Sequence, residues 1–226
     1  MDTLKITAAN RAQYENTALE YAGHVEIEAE LGWVTFASIT ATGWIRAFTG
    51  TGIKAGTGIK AGEDIKAGTG IKAGTGIKAG EGIKAGEDIK AGEDIEAGTG
   101  IKAGTGIKAG WDIEAGWGIK AGEDISAGED ISAGCGISAG WGISAGWGIS
   151  AGEGISAGWG ISAGEGISAG EGISAKFLEA TLRIFAGLIN RRLPKPEETE
   201  IRAEIRKGIV ALGTVIAAAR EEGRRG

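Results

Sequence analysis

From Ile53 to Ala175 an isoleucine stands at every sixth position without a miss, so 21 consecutive units share one register. Each unit reads Ile, then Lys, Ser or Glu, then Ala, Gly, a variable residue, and finally Gly or Asp. A period of six matches neither the ~3.6 of an α-helix nor the ~3.5 of a coiled coil, and a glycine in every unit weakens a helix further. Collagen is excluded as well, because glycine does not occupy every third position. In an extended segment Ile and Ala, two apart, point to one face and the residue between them to the other. Each unit is therefore expected to be a three-residue strand and a corner, the corner residues being ones that tolerate positive φ. A unit this short cannot cover its own apolar face, so the units must stack, each covering the Ile and Ala of the one before. The predicted fold is mainly β, a parallel β-solenoid.

These Ile-x-Ala-Gly-x-Gly/Asp units, which cover 123 of the 226 residues, resemble the hexapeptide-repeat proteins that form left-handed parallel β-helices. The resemblance implies three six-residue sides per triangular coil, hence seven coils and a regular stack about 33 Å long at the usual inter-strand spacing. A flat two-sided coil of about 12 residues is the thinner and longer alternative; the triangle is expected. This sequence departs from the family pattern in placing its small residue, Ala55, two after Ile53 rather than two before. Acyltransferases of that fold use a histidine base and a loop that leaves the coils. Here His24 precedes the regular units and nothing interrupts residues 53–175.

The flanks divide into three further segments. Residues 25–52 read as degenerate first coils, since Ile27-Glu28-Ala29, Trp33-Val34-Thr35, Ile39-Thr40-Ala41 and Ile45-Arg46-Ala47 keep the six-residue phase. The step from Ile45 to Ile53 is eight, which places a two-residue insertion near Phe48-Thr49-Gly50-Thr51. Residues 1–24 are expected to fold over the open end as an N-terminal cap, because an uncovered terminal rung is a sticky edge. After Ala175 the apolar spacing turns helical: Leu178, Leu182, Phe185 and Ile189, then, past Pro194 and Pro196, Ile201, Ile205, Ile209, Leu212, Ile216 and Ala219. Residues 176–226 are thus predicted to form an α-helical hairpin that caps the last coil. Ile205, Ile209, Leu212 and Ile216 are its expected self-association stripe, which would make the protein a homo-oligomer through its C-terminal helices.

Composition narrows the chemistry. One cysteine and one histidine among 226 residues argue against a disulfide framework, a multi-cysteine metal site and most acid/base catalysis. No phosphate-binding loop is present, and the acidic pairs are not spaced as a calcium cage. No catalytic residue, cofactor or metal is expected. The start of the chain lacks a signal-peptide pattern and no apolar run approaches the ~20 residues of a membrane span, so a cytoplasmic protein of a bacterial host, without membrane contact, is expected. The arginines of the terminal segment lack aromatic or motif support, and direct nucleic-acid binding is not expected.

The variable fifth position carries the functional signal, because nothing structural dictates its identity. It holds threonine or glutamate in the first half and, from residue 111, Trp111, Trp117, Trp141, Trp147, Trp159 and Cys135. Residues 53–122 carry 10 basic and 10 acidic groups, whereas 123–175 carry no basic and seven acidic ones: Glu123, Asp124, Glu129, Asp130, Glu153, Glu165 and Glu171. Exposed tryptophans among carboxylates are typical of binding hot spots. The expectation is a non-enzymatic interaction protein that docks an acidic, Trp-bearing face on a host protein. A nucleic-acid-binding host is one expected form of this partner, since a ridge of carboxylates can imitate a phosphate backbone. Pentapeptide-repeat solenoids that imitate DNA are a loose parallel, and the near-identical repeats with a compact end resemble small inhibitors carried by phages and mobile elements, of an anti-defence type. The competing reading is a self-assembling solenoid that builds an oligomer or filament.

Overall fold

The computed structural model describes residues 1–188 and 193–216. Its strands run parallel in a single 29-stranded sheet wound into a solenoid. Through the regular segment every strand pairs with the one 18 residues on, so Ile53 stacks on Ile71, Ile59 on Ile77 and Ile65 on Ile83. Three six-residue sides therefore make one coil, as the triangle requires, and the 12-residue coil is excluded. The three sides are named here for these columns: the Ile53, Ile59 and Ile65 faces.

The isoleucines from Ile53 to Ile173 are at most 1% exposed and form the interior with the alanines two residues on. Fully burying each contributes roughly 1.5–3 kcal/mol. The residue between them faces outward, and its identity is stacked too. Lys54, Lys72, Lys90 and Lys108 form a column on the Ile53 face, and Lys66, Lys84, Lys102 and Lys120 one on the Ile65 face. On all three faces the later rungs replace these with serine columns, for example Ser132, Ser150 and Ser168.

The corners are made differently from the expectation. Among the described residues positive φ occurs at Asn16, Glu30 and five glycines, all outside the regular units. What the fourth-position glycine supplies is close approach between coils: a Cβ on Gly140 would lie 1.9 Å from the Gly122 carbonyl oxygen, and one on Gly158 2.0 Å from that of Gly140. The sixth-position aspartates are caps. Asp64, Asp88, Asp94, Asp112, Asp124 and Asp130 each accept through Oδ1 the backbone N–H of the residue one coil further along, at 2.6–3.1 Å.

Before Ile53 the coil is longer. Ile39 pairs with Ile59 and Ile45 with Ile65, a step of 20, whereas Val34 pairs with Ile53, a step of 19. The insertion is accommodated by a turn at Phe48–Thr51 with Gly50 at φ 71°. Thr51 is fully buried there, its hydroxyl donating to the Glu28 carbonyl (2.7 Å) and accepting the Leu31 N–H (3.0 Å). The inward pairs in this region are Val25 with Ile27 and Val34 with Phe36, so the register is shifted from the Ile27-Glu28-Ala29 and Trp33-Val34-Thr35 reading, and Trp33 is turned outward. Strands Thr3–Ile6 and Ala18–Tyr21 are themselves rungs, and between them a 3-10 turn at Arg11–Gln13 leads into Asn16, whose N–H reaches the Thr35 carbonyl.

The C-terminal helical hairpin is not formed. Among the described residues there is no α-helix; the segment is built of strands Ile173–Ala186, Glu200–Leu212 and Thr214–Ile216, with one 3-10 turn at Pro196–Thr199. The solenoid continues with the coil shortened by one residue: Leu178 stacks on Ile161, Ala180 on Ala163, Ile184 on Ile167 and Ala186 on Ala169. Ile201 then stacks on Ile173, Ile205 on Leu178 and Val215 on Ile201. The physical reason is that Leu178-Glu179-Ala180, Ile184-Phe185-Ala186 and Ile201-Arg202-Ala203 repeat the aliphatic-x-Ala unit and find a ready edge to pair with. Helix-like spacing brings no such partner. Gly208 and Gly213, at φ +112° and +118°, also occupy backbone conformations that no helix uses. The expected stripe is accordingly dispersed: Ile205 is half-buried, whereas Ile209, Leu212 and Ile216 are exposed on the last of the described strands. Ile189, Arg191, Arg192, Ala219, Arg220, Gly223, Arg224 and Arg225 lie outside the described residues. No helix among the described residues is long and apolar enough to cross a membrane.

Candidate partner-docking ridges

The fifth residue of each unit sits at the apex of a corner, its N–H bonded to the carbonyl of the fifth residue one coil below. Because a coil holds three units, successive tryptophans in sequence fall on different corners. Three ridges result. One carries Thr69, Glu87, Thr105, Glu123, Trp141 and Trp159 and ends at Lys176. The second carries Thr57, Thr75, Glu93, Trp111, Glu129, Trp147 and Glu165 and ends at Leu182. The third carries Glu63, Glu81, Thr99, Trp117, Cys135, Glu153 and Glu171.

The five tryptophans are 51–67% exposed, but they do not share a face. Trp141 and Trp159 are neighbours on one ridge with Glu123 below them, Trp111 and Trp147 flank Glu129 on the second, and Trp117 stands on the third with Glu153 and Glu171. The acidic residues are dispersed the same way. Asp124 and Asp130 are committed to the backbone, accepting the Gly142 and Gly148 N–H groups at 2.8 and 2.6 Å. Among the described residues no lysine reaches the carboxylates of residues 123–175; the lysine ion pairs of the regular coils are Lys66–Asp64, Lys78–Glu96 and Lys90–Asp88. At Asp88 partial burial works to raise the pKa. Hydrogen bonds from Lys90, Thr105 and the Gly106 N–H, with the charge of Lys90, outweigh it and lower the pKa to about 2.

Around Trp159 the sequence had left several neighbours unidentified. Lys176 Nζ lies 4.5 Å over its ring, and Phe177 meets it edge-on at 6.3 Å. Arg206 lies 3.8 Å over the Phe177 ring. A hollow of about 410 Å³ opens between Trp141, Trp159 and Lys176, floored by Gly140 and Gly158. Beside the second ridge a groove of about 420 Å³ runs over Ser132, Ser150 and Ser168 on the Ile59 face and is closed by Phe185. A longer one of about 710 Å³ runs along the Ile65 face from Lys66 past Lys120 to Ser174. Counting in steps of 18 along the sequence would have located the ridges, but not Lys176, Phe177 or Leu182, which the shortened coil brings into line. Among the described residues no group of three or more His, Cys, Asp or Glu is placed to hold a metal ion. No family model matches the chain, and no curated protein or solved structure matches it either.

Proposed function

We propose that the chain is a non-enzymatic interaction protein, an inhibitor that docks the tryptophan-bearing ridges of its second half on a partner protein. What supports this most is that all five corner indoles are more than half exposed. Large apolar surface left in water at this density is the usual mark of a binding site. The corners that carry them are hydrogen-bonded to the coils above and below, so little backbone freedom is lost on association. With carboxylates on the same ridges and no basic residue from 123 to 175, the surface favours a positively charged partner and rejects an acidic one. Since the carboxylates are divided among three corners, the indoles carry the affinity and the charge steers. Capture from bacterial lysate tests the reading: a stoichiometric partner is expected, and Trp141→Ala combined with Trp147→Ala is expected to release it. A partner retained by that double variant, or none at all, would defeat it.

A second reading, self-assembly into an oligomer, is favoured by a separate observation. Strand Thr214–Ile216 and the 204–212 part of the strand before it have no partner on their outer edge among the described residues, and Ile209, Leu212, Val215 and Ile216 are 38–69% exposed there. An open apolar edge is a template for pairing. Sedimentation separates the two readings, because assembly depends on concentration and needs no other protein.

A further inference from the structure

The second ridge alternates in kind. Trp111, Glu129, Trp147, Glu165 and Leu182 follow one another, each N–H bonded to the carbonyl of the one before. Apolar groups, 51–56% exposed, therefore stand on every second rung with a carboxylate between each pair. At the inter-strand spacing of a sheet two rungs span about 9.4–9.8 Å. A polyproline II chain rises ~3.1 Å per residue with three residues per turn, so its same-side residues recur about every 9.3 Å. An extended strand presents same-side residues about every 6.6 Å, and two turns of an α-helix overshoot at ~10.8 Å. Only the first of these repeats keeps step with the ridge.

The surroundings fit the same occupant. A polyproline II backbone makes no internal hydrogen bonds, so its carbonyls need donors. The hydroxyls of Ser132, Ser150 and Ser168 line the adjoining groove at one-rung intervals. Among the described residues the side chains of Glu129 and Glu165, like that of Glu114 on the neighbouring face, are in no ion pair or side-chain hydrogen bond. Glu96, one rung below Glu114, is by contrast held by Lys78.

We infer that this ridge and its serine groove seat a basic, proline-rich segment of the partner in the polyproline II form. Every third residue of the segment stacks on Trp111, Trp147 and Leu182, and its Arg or Lys side chains reach Glu129 and Glu165. The inference rests on the docking reading above and names the chemistry of what docks.

The test is titration of the full chain with a synthetic peptide of Pro-Pro-Arg repeats, followed by calorimetry and tryptophan fluorescence, with circular dichroism confirming that each variant is folded. Saturable binding is expected. It should weaken about tenfold or more in Trp111→Ala combined with Trp147→Ala, and also in Glu129→Gln combined with Glu165→Gln. Trp33→Ala, on strand Gly32–Phe36 and outside the three ridges, should leave it unchanged. No saturation, an equal loss in Trp33→Ala, or equal binding of a Gly-Ser-Arg peptide of the same charge would overturn the inference. So would a β-1,4-linked glucan oligomer taking the ridge instead, because that ligand is also rigid with a two-unit repeat. Failure of the peptide while a lysate partner is still captured and still lost on Trp141→Ala with Trp147→Ala removes only the polyproline occupant. Failure to capture any partner removes the docking reading itself.

Discussion

The regular coils, residues 53–175, and the closing segment, residues 176–216, are two renderings of one architecture. In the first, each rung lies between two nearly identical neighbours, its isoleucines are at most 1% exposed, and the corners fit through glycine-to-carbonyl approach and aspartate caps. In the second, strand Ile173–Ala186 turns its corners without a break and pairs with Glu200–Leu212 through four register shifts. Its inner residues Leu178, Ile184 and Ile201 are still fully buried, but Ile209 is 69% exposed. The difference shows where the interior comes from. Leu178, Ile184 and Ile201 stand in the inward columns of the stack, whereas Ile209 is in register with the exposed Arg183, an outward position, and remains in water. Stability in such a stack is a sum over neighbouring rungs, so position along the axis decides what a substitution costs.

The largest effect is expected in mid-stack. Ile113 is fully buried, between Ile95 and Ile131, and Ile113→Asp places a carboxylate among aliphatic columns that offer it no donor. Loss of the packed side chain alone costs about 2–5 kcal/mol, and the buried charge adds to it. Thermal denaturation followed by circular dichroism should show the coils unfolding together well below the wild-type midpoint. A variant that melts like the parent would contradict the stacking account.

A medium effect tests what the corners contribute. The Asp88 pKa lies near 2, below its ordinary value of 3.8. A carboxyl more acidic in the folded than in the unfolded chain binds fewer protons when folded, so its stabilising contribution is complete above about pH 4 and is lost as the pH falls toward 2. Asp88→Ala should therefore be destabilised at neutral pH, by about 1 kcal/mol once solvent screening is allowed for. The gap from wild type should narrow as the pH falls from 4 to 2. Denaturant titration at each pH measures it; a gap that widens on acidification would mean the cap is not acting through its charge.

The comparison also separates what could be read from the sequence from what could not. For residues 53–175 a single rule, inward at Ile and Ala, is repeated 21 times, and any one unit predicts the next. The direction of strands and the inner and outer faces follow from it, whereas the number of sides was implied only by the resemblance to hexapeptide-repeat proteins and is decided by the 18-residue pairing. The reason for the glycines does not follow from it, because a clash between coils exists only once the coils are stacked. In residues 176–216 the unit recurs only as Leu178-Glu179-Ala180, Ile184-Phe185-Ala186 and Ile201-Arg202-Ala203, and the isoleucines at 201, 205 and 209 also satisfy a helical stripe. Local spacing cannot decide between the two, since what selects the strand is an edge 17 residues back in the chain, where Ile161 awaits Leu178. The candidate site divides likewise. Which residues occupy corners was legible unit by unit, but their grouping into ridges depends on the 18-residue coil, and so the single face of five tryptophans was in fact three.

The smallest effect on stability is expected at Ile209, an isoleucine of the closing segment that stands at an outward position. It belongs to a strand of the same sheet, but it is in register with the exposed Arg183, has no rung beyond it among the described residues and is mostly in water. Ile209→Asp thus removes little buried area and leaves the new carboxylate solvated, so the melting midpoint should move by no more than an exposed substitution does, about 0.5 kcal/mol or less. What should change is association. If the open edge of this rung recruits a second copy, a charge in its centre costs desolvation at the contact, and sedimentation velocity should show the wild type assembling with concentration while Ile209→Asp stays monomeric. Loss of stability comparable to that of Ile113→Asp would show instead that Ile209 is covered in solution. The closing rung would then be an interior one, and the distinction between the two segments would fall.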